Sequence, residues 1–175
     1  MEDEYFGEPK YKTRFISQGD IMVHLNENFG IKIGIAYEQK GYDRKRASSS
    51  ISGYSTDEHK FDYLSFPLVA ELLFGRKIKM KAHAGASIEY LLKHIWVWNI
   101  AEEKRPINKT DEYSRVNYSF LSGVGTEFLL SEKVFIELGI RNSIGLKTLQ
   151  KENSWVMFKH FGFVTFAGIR YKLGT

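Results

Sequence analysis

The chain has 175 residues, 43% hydrophobic and 15% aromatic, with 25 basic and 21 acidic side chains and no cysteine. The length suits a single domain, and the absence of cysteine excludes disulfides, thiolate metal sites and thiol nucleophiles. The net charge of +4 comes without a basic stripe interleaved with aromatics, so no nucleic-acid partner is expected. No apolar run reaches the ~18 residues that a transmembrane helix needs.

Met1 to Lys10 carries acidic side chains, Pro9 and no apolar stretch. It is expected to be irregular and is not a signal peptide, which for an exported protein points to a mature or shortened chain. A weak strand follows from about Tyr11 to Leu25, with Ile21, Val23 and Leu25 opposing Asp20, Met22 and His24. From Phe29 to Tyr37 the odd positions are Phe29, Ile31, Ile33, Ile35 and Tyr37, against Gly30, Lys32, Gly34, Ala36, Glu38 and Lys40. A helix would scatter both sets around its circumference, whereas a strand separates them onto two faces.

The same separation recurs down the chain. Leu64, Phe66, Leu68, Ala70, Leu72 and Phe74 oppose Tyr63, Ser65, Pro67, Val69 and Glu71. Ile78, Met80, Ala82, Ala84, Ala86, Ile88 and Tyr90 oppose Lys79, Lys81, His83, Gly85, Ser87 and Glu89. Tyr118, Phe120, Val124 and Phe128 oppose Asn117, Ser119, Gly123, Gly125 and Glu127. Val134, Ile136, Leu138 and Ile140 oppose Glu137, Gly139 and Arg141. The last strand sets Phe161, Phe163, Ala167, Ile169 and Tyr171 against Gly162, Gly168, Arg170 and Lys172.

Seven strands result, most of them longer than the ~5–6 residues usual in globular sheets and matching the ~9–11 of tilted membrane-spanning strands. Their connections alternate between tight polar turns (Asn26 to Asn28, Gly75 to Lys77, Ser131 to Lys133) and long polar stretches (Tyr42 to Lys60, Asn99 to Arg115, Lys147 to Ser154). Periplasmic turns and extracellular loops have that asymmetry. Aromatics near the long connections (Tyr42, Phe61, Tyr63, Trp96, Trp98, Tyr118, Trp155) and near the tight turns (Phe29, Phe74, Phe128, Tyr171) are expected to form two interfacial girdles. The expected fold is all-β, an antiparallel up-and-down transmembrane barrel occupying residues 1–175 as one domain, with apolar residues facing lipid.

The polar face is then the lumen. It carries glycines and both signs of charge mid-strand, and a network of Lys32, Glu38, Glu71, Lys79, Lys81, Glu89, Glu127, Glu137, Arg141 and Arg170 is expected there, with mutual neutralisation. Glu137 and Arg141 are expected to find partners on adjacent strands, such as Glu127 or Lys79. His83, Ser87 and Glu89 share a face, but strand positions four apart lie about 13 Å from each other, too far for a Ser–His hydrogen bond. No catalytic, cofactor or metal residues are assigned. The basic run Arg44 to Arg46 is read as a solvated loop tip.

Five segments, Gly34 to Gly41, Tyr63 to Leu68, Gly85 to Leu92, Gly123 to Phe128 and Gly168 to Tyr171, together resemble the PorT-like outer-membrane β-barrel family of Bacteroidota. The Tyr63-x-x-x-Pro67-Leu68 entry into a strand is the most particular piece. The resemblance implies an eight-stranded barrel in the bacterial outer membrane, with some relatives linked to protein secretion. This chain departs from that pattern in lacking a first strand and in ending Lys172-Leu-Gly-Thr175. Seven strands leave two edges, so either an N-terminal strand is missing or another chain supplies one.

The expected function is that of a non-enzymatic outer-membrane component, structural or acting through partner contacts, with outer-membrane lipid around the wall. Other outer-membrane or secretion-complex proteins would meet its long loops. The alternatives are a soluble barrel carrying an apolar ligand in its lumen and a lipid-modifying enzyme.

Overall fold

A computed structural model describes residues 10–48, 53–76, 78–100, 103–146 and 161–171 of the chain. It contains the strands β1 (Lys10–His24), β2 (Phe29–Ser48), β3 (Gly53–Phe74), β4 (Ile78–Ile100), β5 (Glu103–Asn108), β6 (Val116–Ser131), β7 (Val134–Gly145) and β8 (Phe161–Tyr171). One antiparallel sheet runs β1-β2-β3-β4-β6-β7-β8, and β5 pairs with β4 off this path. The wall therefore has the seven strands that alternation marks, and the eighth strand segment lies where a long loop was expected.

The curl is carried by period-2 chemistry. Ile31, Ile33 and Ile35 of β2 are exposed, while Ala36, Glu38 and Lys40 are buried. Along β3, Phe66, Leu68, Leu72 and Phe74 point outward, and Ser65, Val69, Glu71 and Leu73 point in. A soluble carrier would have the opposite polarity, so the exposed apolar belt and buried charge remove that alternative. From Phe29 to Tyr37, nine residues at ~3.3 Å each and tilted by ~40° span about 23 Å, close to the ~25 Å apolar band of such barrels.

Tight turns join successive strands at one end of the sheet. Leu25 and Asn26 donate to the Phe29 carbonyl, and the Asn26 side chain accepts from the Asn28 amide at 2.9 Å, an Asx turn. Gly75 adopts φ 104°, a left-handed conformation that favours glycine. By the usual asymmetry, these turns mark the periplasmic end.

The connections at the other end correct the expectation of loops. β2 and β3 stay paired out to Ser48↔Gly53, and β4 continues to Ile100, which pairs with Glu103 of β5. The stretches Tyr42 to Lys60 and Asn99 to Arg115 are thus largely a sheet projecting above the membrane. Strand pattern faded there because both faces leave the hydrocarbon, and only a lipid-facing side demands apolar alternation. The third connection, Lys147 to Ser154, and the irregular segment expected at residues 1–9 lie outside the described residues; Lys10 already belongs to β1.

The outer girdle also needs correction. Tyr118 is exposed on the outer surface, but Tyr42, Phe61 and Tyr63 are buried on the inner face. Trp96 and Trp98 join them because β4 bulges: Tyr63 pairs with Leu91 while Asp62 pairs with Lys93, so Leu92 is an extra residue. Below the bulge the odd positions of β4 face inward; above it His94, Trp96 and Trp98 do. Trp155 falls outside the described residues. At the turn end, Phe74, Phe128 and Tyr171 are exposed toward lipid.

Arginine at Ile33, Leu68 or Ile136, all exposed in the belt, is expected to destabilise the folded barrel by about 2–4 kcal/mol near the midplane. Urea titration in lipid vesicles measures this.

Candidate functional site

The lumen face gathers charged side chains from all seven wall strands, β1 through β4 with β6, β7 and β8 adding theirs, and they sort into two layers. In the lower layer, Lys81 Nζ lies 2.8 Å from Glu137, 3.9 Å from Glu71 and 4.0 Å from Glu127. Lys32 bridges Glu71 at 3.3 Å and Asp20 at 3.6 Å. Arg170 donates to Glu127 and stands 3.6 Å from Glu137.

In the upper layer, Lys40 lies between Glu89 at 2.5 Å and Glu38 at 3.1 Å. Asn117 and Ser119 donate to Glu89. Arg141 donates to Glu38 at 3.1 Å and to Gln18 at 2.5 Å.

Several of these contacts skip a strand or cross the lumen, among them most of those made by Glu137 and Arg141. Glu137 of β7 meets Lys81 of β4, with β6 between them, and Arg141 of β7 reaches across the lumen to β2 and β1. Of the ion pairs made by Glu137 and Arg141 among the described residues, only Arg170–Glu137 joins adjacent strands as the sequence suggested, and Lys79 pairs with neither residue. Lys79 lies instead over the Phe135 ring, 5.9 Å from its centroid. Lys40 and Asp20 belong to the network but were not among the residues singled out, and Gln18, Asn117 and Ser119 were also missed. Their position on the same alternating face was the available signal.

Lys32, Lys40, Lys79, Lys81, Arg141 and Arg170 together offset Asp20, Glu38, Glu71, Glu89, Glu127 and Glu137. That balance of formal charge lowers the cost of burying Lys81, Glu71 and Glu127. Glycines make the space: a Cβ on Gly123 would press into the His83 ring, and one on Gly139 into Phe166 and the neighbouring backbone. Carboxylate oxygens of Glu71, Glu127 and Glu137 come within 4.8 Å of one another. Lys81 and Arg170 already supply the positive charge that a metal would bring.

His83 and Ser87 do not form a nucleophilic pair. Ser87 Oγ and His83 Nδ1 have no hydrogen-bond partner among the described residues, and Glu89 is held by Lys40, Asn117 and Ser119. His24 and His83 both line a cavity of about 1290 Å³ in the lower lumen, along with Arg76, Lys79, Phe135 and Phe166. Above it Tyr63, Leu91 and Leu121 are fully buried on the inner face.

At the surface end, rings stack up the inner face of the projecting sheet. His94 lies 4.2 Å from Phe61 and edge-on to Tyr113 at 4.3 Å; Tyr42 stacks on His59 at 4.5 Å. His59 Nδ1 and His94 Nε2 share a hydrogen bond of 3.1 Å, and the Thr110 hydroxyl accepts from the His94 amide. A short 3-10 helix, Thr110–Glu112, brings Thr110 and Tyr113 over the stack.

A charged, cancelled lumen inside an apolar wall is what an outer-membrane barrel requires, and a family model described as outer membrane protein beta-barrel domain matches residues 2–150. The chain belongs to that family. This places the barrel domain in the bacterial outer membrane. Comparison with curated proteins and with solved structures gives no match.

Lys81→Met would leave Glu71, Glu127 and Glu137 facing one another with less positive charge. A loss of about 3–5 kcal/mol is expected, read from urea unfolding in vesicles, and partial recovery is expected when Glu137→Gln is added.

Burial pushes the His94 imidazole, which sits above the apolar belt, down to about 4 from the ordinary 6.5. The folded state therefore binds its proton less readily than the unfolded chain, so stability is full above pH 6.5 and falls between pH 6.5 and about 4. Tryptophan emission from Trp96 and Trp98 should report loosening of the stack in that window, and His94→Gln should flatten the response.

Proposed function

We propose that the barrel domain is a non-conducting, non-enzymatic anchor that holds a rigid sheet at the cell surface for contact with a partner protein. The observation that supports this is the continuous pairing of β2, β3, β4 and β5 beyond the apolar belt, packed around Tyr42, Phe61, Tyr63, Leu91 and Tyr113. A loop needs no core of its own; a stiff recognition surface does, because order present before binding is not paid for on association. The outward face of this sheet carries Lys60, paired to Glu58 at 3.2 Å, and the exposed Lys93. It suits a hydrated protein contact.

The ion-paired layers and the side chains above them support a plugged bore. The likeness to PorT-like barrels extends the proposal to a protein-secretion assembly, with the projecting sheet as its docking element. A second reading, lipid modification, has no comparable observation in its favour.

Replacing residues 43–58 by a two-residue Asn-Gly turn is expected to leave membrane insertion and heat-modifiable gel migration intact while abolishing partner co-purification and any secretion phenotype. The intact protein should give no channel steps above background in planar bilayers. A chain that conducts, or that keeps its partners after the replacement, rejects the proposal.

A further inference from the structure

β1 and β8 each have a single neighbour in the wall. Every ladder is antiparallel, so across seven wall strands the first and last run in the same direction, from cell surface to periplasm. Side chains meet across the seam: Arg170 donates to Met22 Sδ at 3.3 Å, and Arg141 reaches Gln18. No backbone ladder joins the two edges among the described residues.

Glycines report the same gap. At the lumen-facing Gly34, Gly85, Gly123, Gly125 and Gly139 an added Cβ would run into a neighbouring strand or its side chains, whereas at Gly168 of β8, on the same face beside Arg170, it would meet nothing within 4 Å. Behind it lies the lower-lumen cavity, bounded by residues of both edges.

Unpaired strand edges in hydrocarbon are costly, because no water is present to satisfy them. A second copy in the same membrane orientation brings only edges that also run downward, so it cannot pair antiparallel with either one. A strand rising from periplasm to surface pairs antiparallel with both at once.

We propose that the seam is a strand-addition site for an upward-running extended segment of a partner polypeptide. The segment is about ten residues long, the span of a tilted membrane strand. Its outward residues are apolar, because they join the exposed Ile21, Val23, Phe163 and Ile169. Its inward residues are small, hydroxylic or acidic. They face Lys79, which has no carboxylate within ion-pair range among the described residues, and His83 Nδ1, which is buried without a partner. Seating it parts the edges to about 10 Å, two strand spacings.

The test uses the full chain in phosphatidylcholine vesicles and a twelve-residue synthetic peptide alternating Leu or Val with Ser or Asp. Hydrogen exchange is followed strand by strand. The peptide is expected to slow the seam-facing amides of β1 and β8 by roughly tenfold or more and to leave β3, β4 and β6 unchanged. A peptide of the same composition with its alternation scrambled is expected to do nothing. Lys79→Glu is expected to weaken the acidic peptide by about tenfold and to favour a lysine-bearing counterpart.

Equal protection by the scrambled peptide overturns the proposal. So does full protection of both edges before any peptide is added. In that case, loss of protection on deleting residues 1–9 assigns the seam to the chain's own N-terminal segment, and persistence assigns it to direct closure of β1 on β8.

Discussion

Within hydrocarbon, a backbone amide or a charged side chain has only the protein to satisfy it. The rest of this structure follows from that constraint. It forces the backbone into continuous ladders, which curl the sheet, and the curl then encloses an interior where charged side chains from different strands are crowded together. Charges that enter this interior must cancel one another. The layers around Lys81 and Lys40 do so with partners drawn from across the bore as well as along it, so the charge network also ties opposite walls together. Removing a single member leaves its partners buried, which makes the lumen a stabilising element only as a set.

The polarity of the sheet inverts along its own strands. Inside the membrane, β3 shows Leu68 and Phe66 to lipid and hides Glu71; above it, the same strand shows Lys60 and Glu58 and hides Phe61 and Tyr63. The outer solvent changes from hydrocarbon to water, and the side chains change places accordingly. The level at which this happens, near Tyr63 and Leu91, marks the surface-side boundary of the bilayer from residues alone. The projecting part obeys the rules of a soluble sheet with a small aromatic core, while the part below obeys those of a membrane wall.

How much of this could be read from sequence depends on where alternation is enforced. The wall strands were legible wherever one face meets lipid: Ile31, Ile33 and Ile35 against Lys32 and Gly34 leave no other reading. Alternation also says which charges share a face. It cannot say which of them meet, because Arg141 and Glu38, far apart in the chain, come together only through the curvature of the whole sheet. The strand nature of residues around Arg44 and Arg105 was illegible for a different reason: beyond the bilayer no lipid-facing side demands apolar alternation. β5 even carries Pro106, tolerable on a strand with a free edge.

The one-residue bulge at Leu92 left no mark in the sequence, and it decides the orientation of everything beyond it on β4. It separates two reading frames of inside and outside within a single continuous strand. Below it, the frame is fixed by the bilayer; above it, by the ring stack of His94, Trp96 and Trp98. The surface sheet can therefore accumulate changes suited to its own surroundings without disturbing the wall, provided the count of residues at this point is kept. In evolutionary terms the bulge is a joint between two independently drifting modules. Substitutions on either side stay local, whereas loss of a single residue there would turn one module inside out relative to the other.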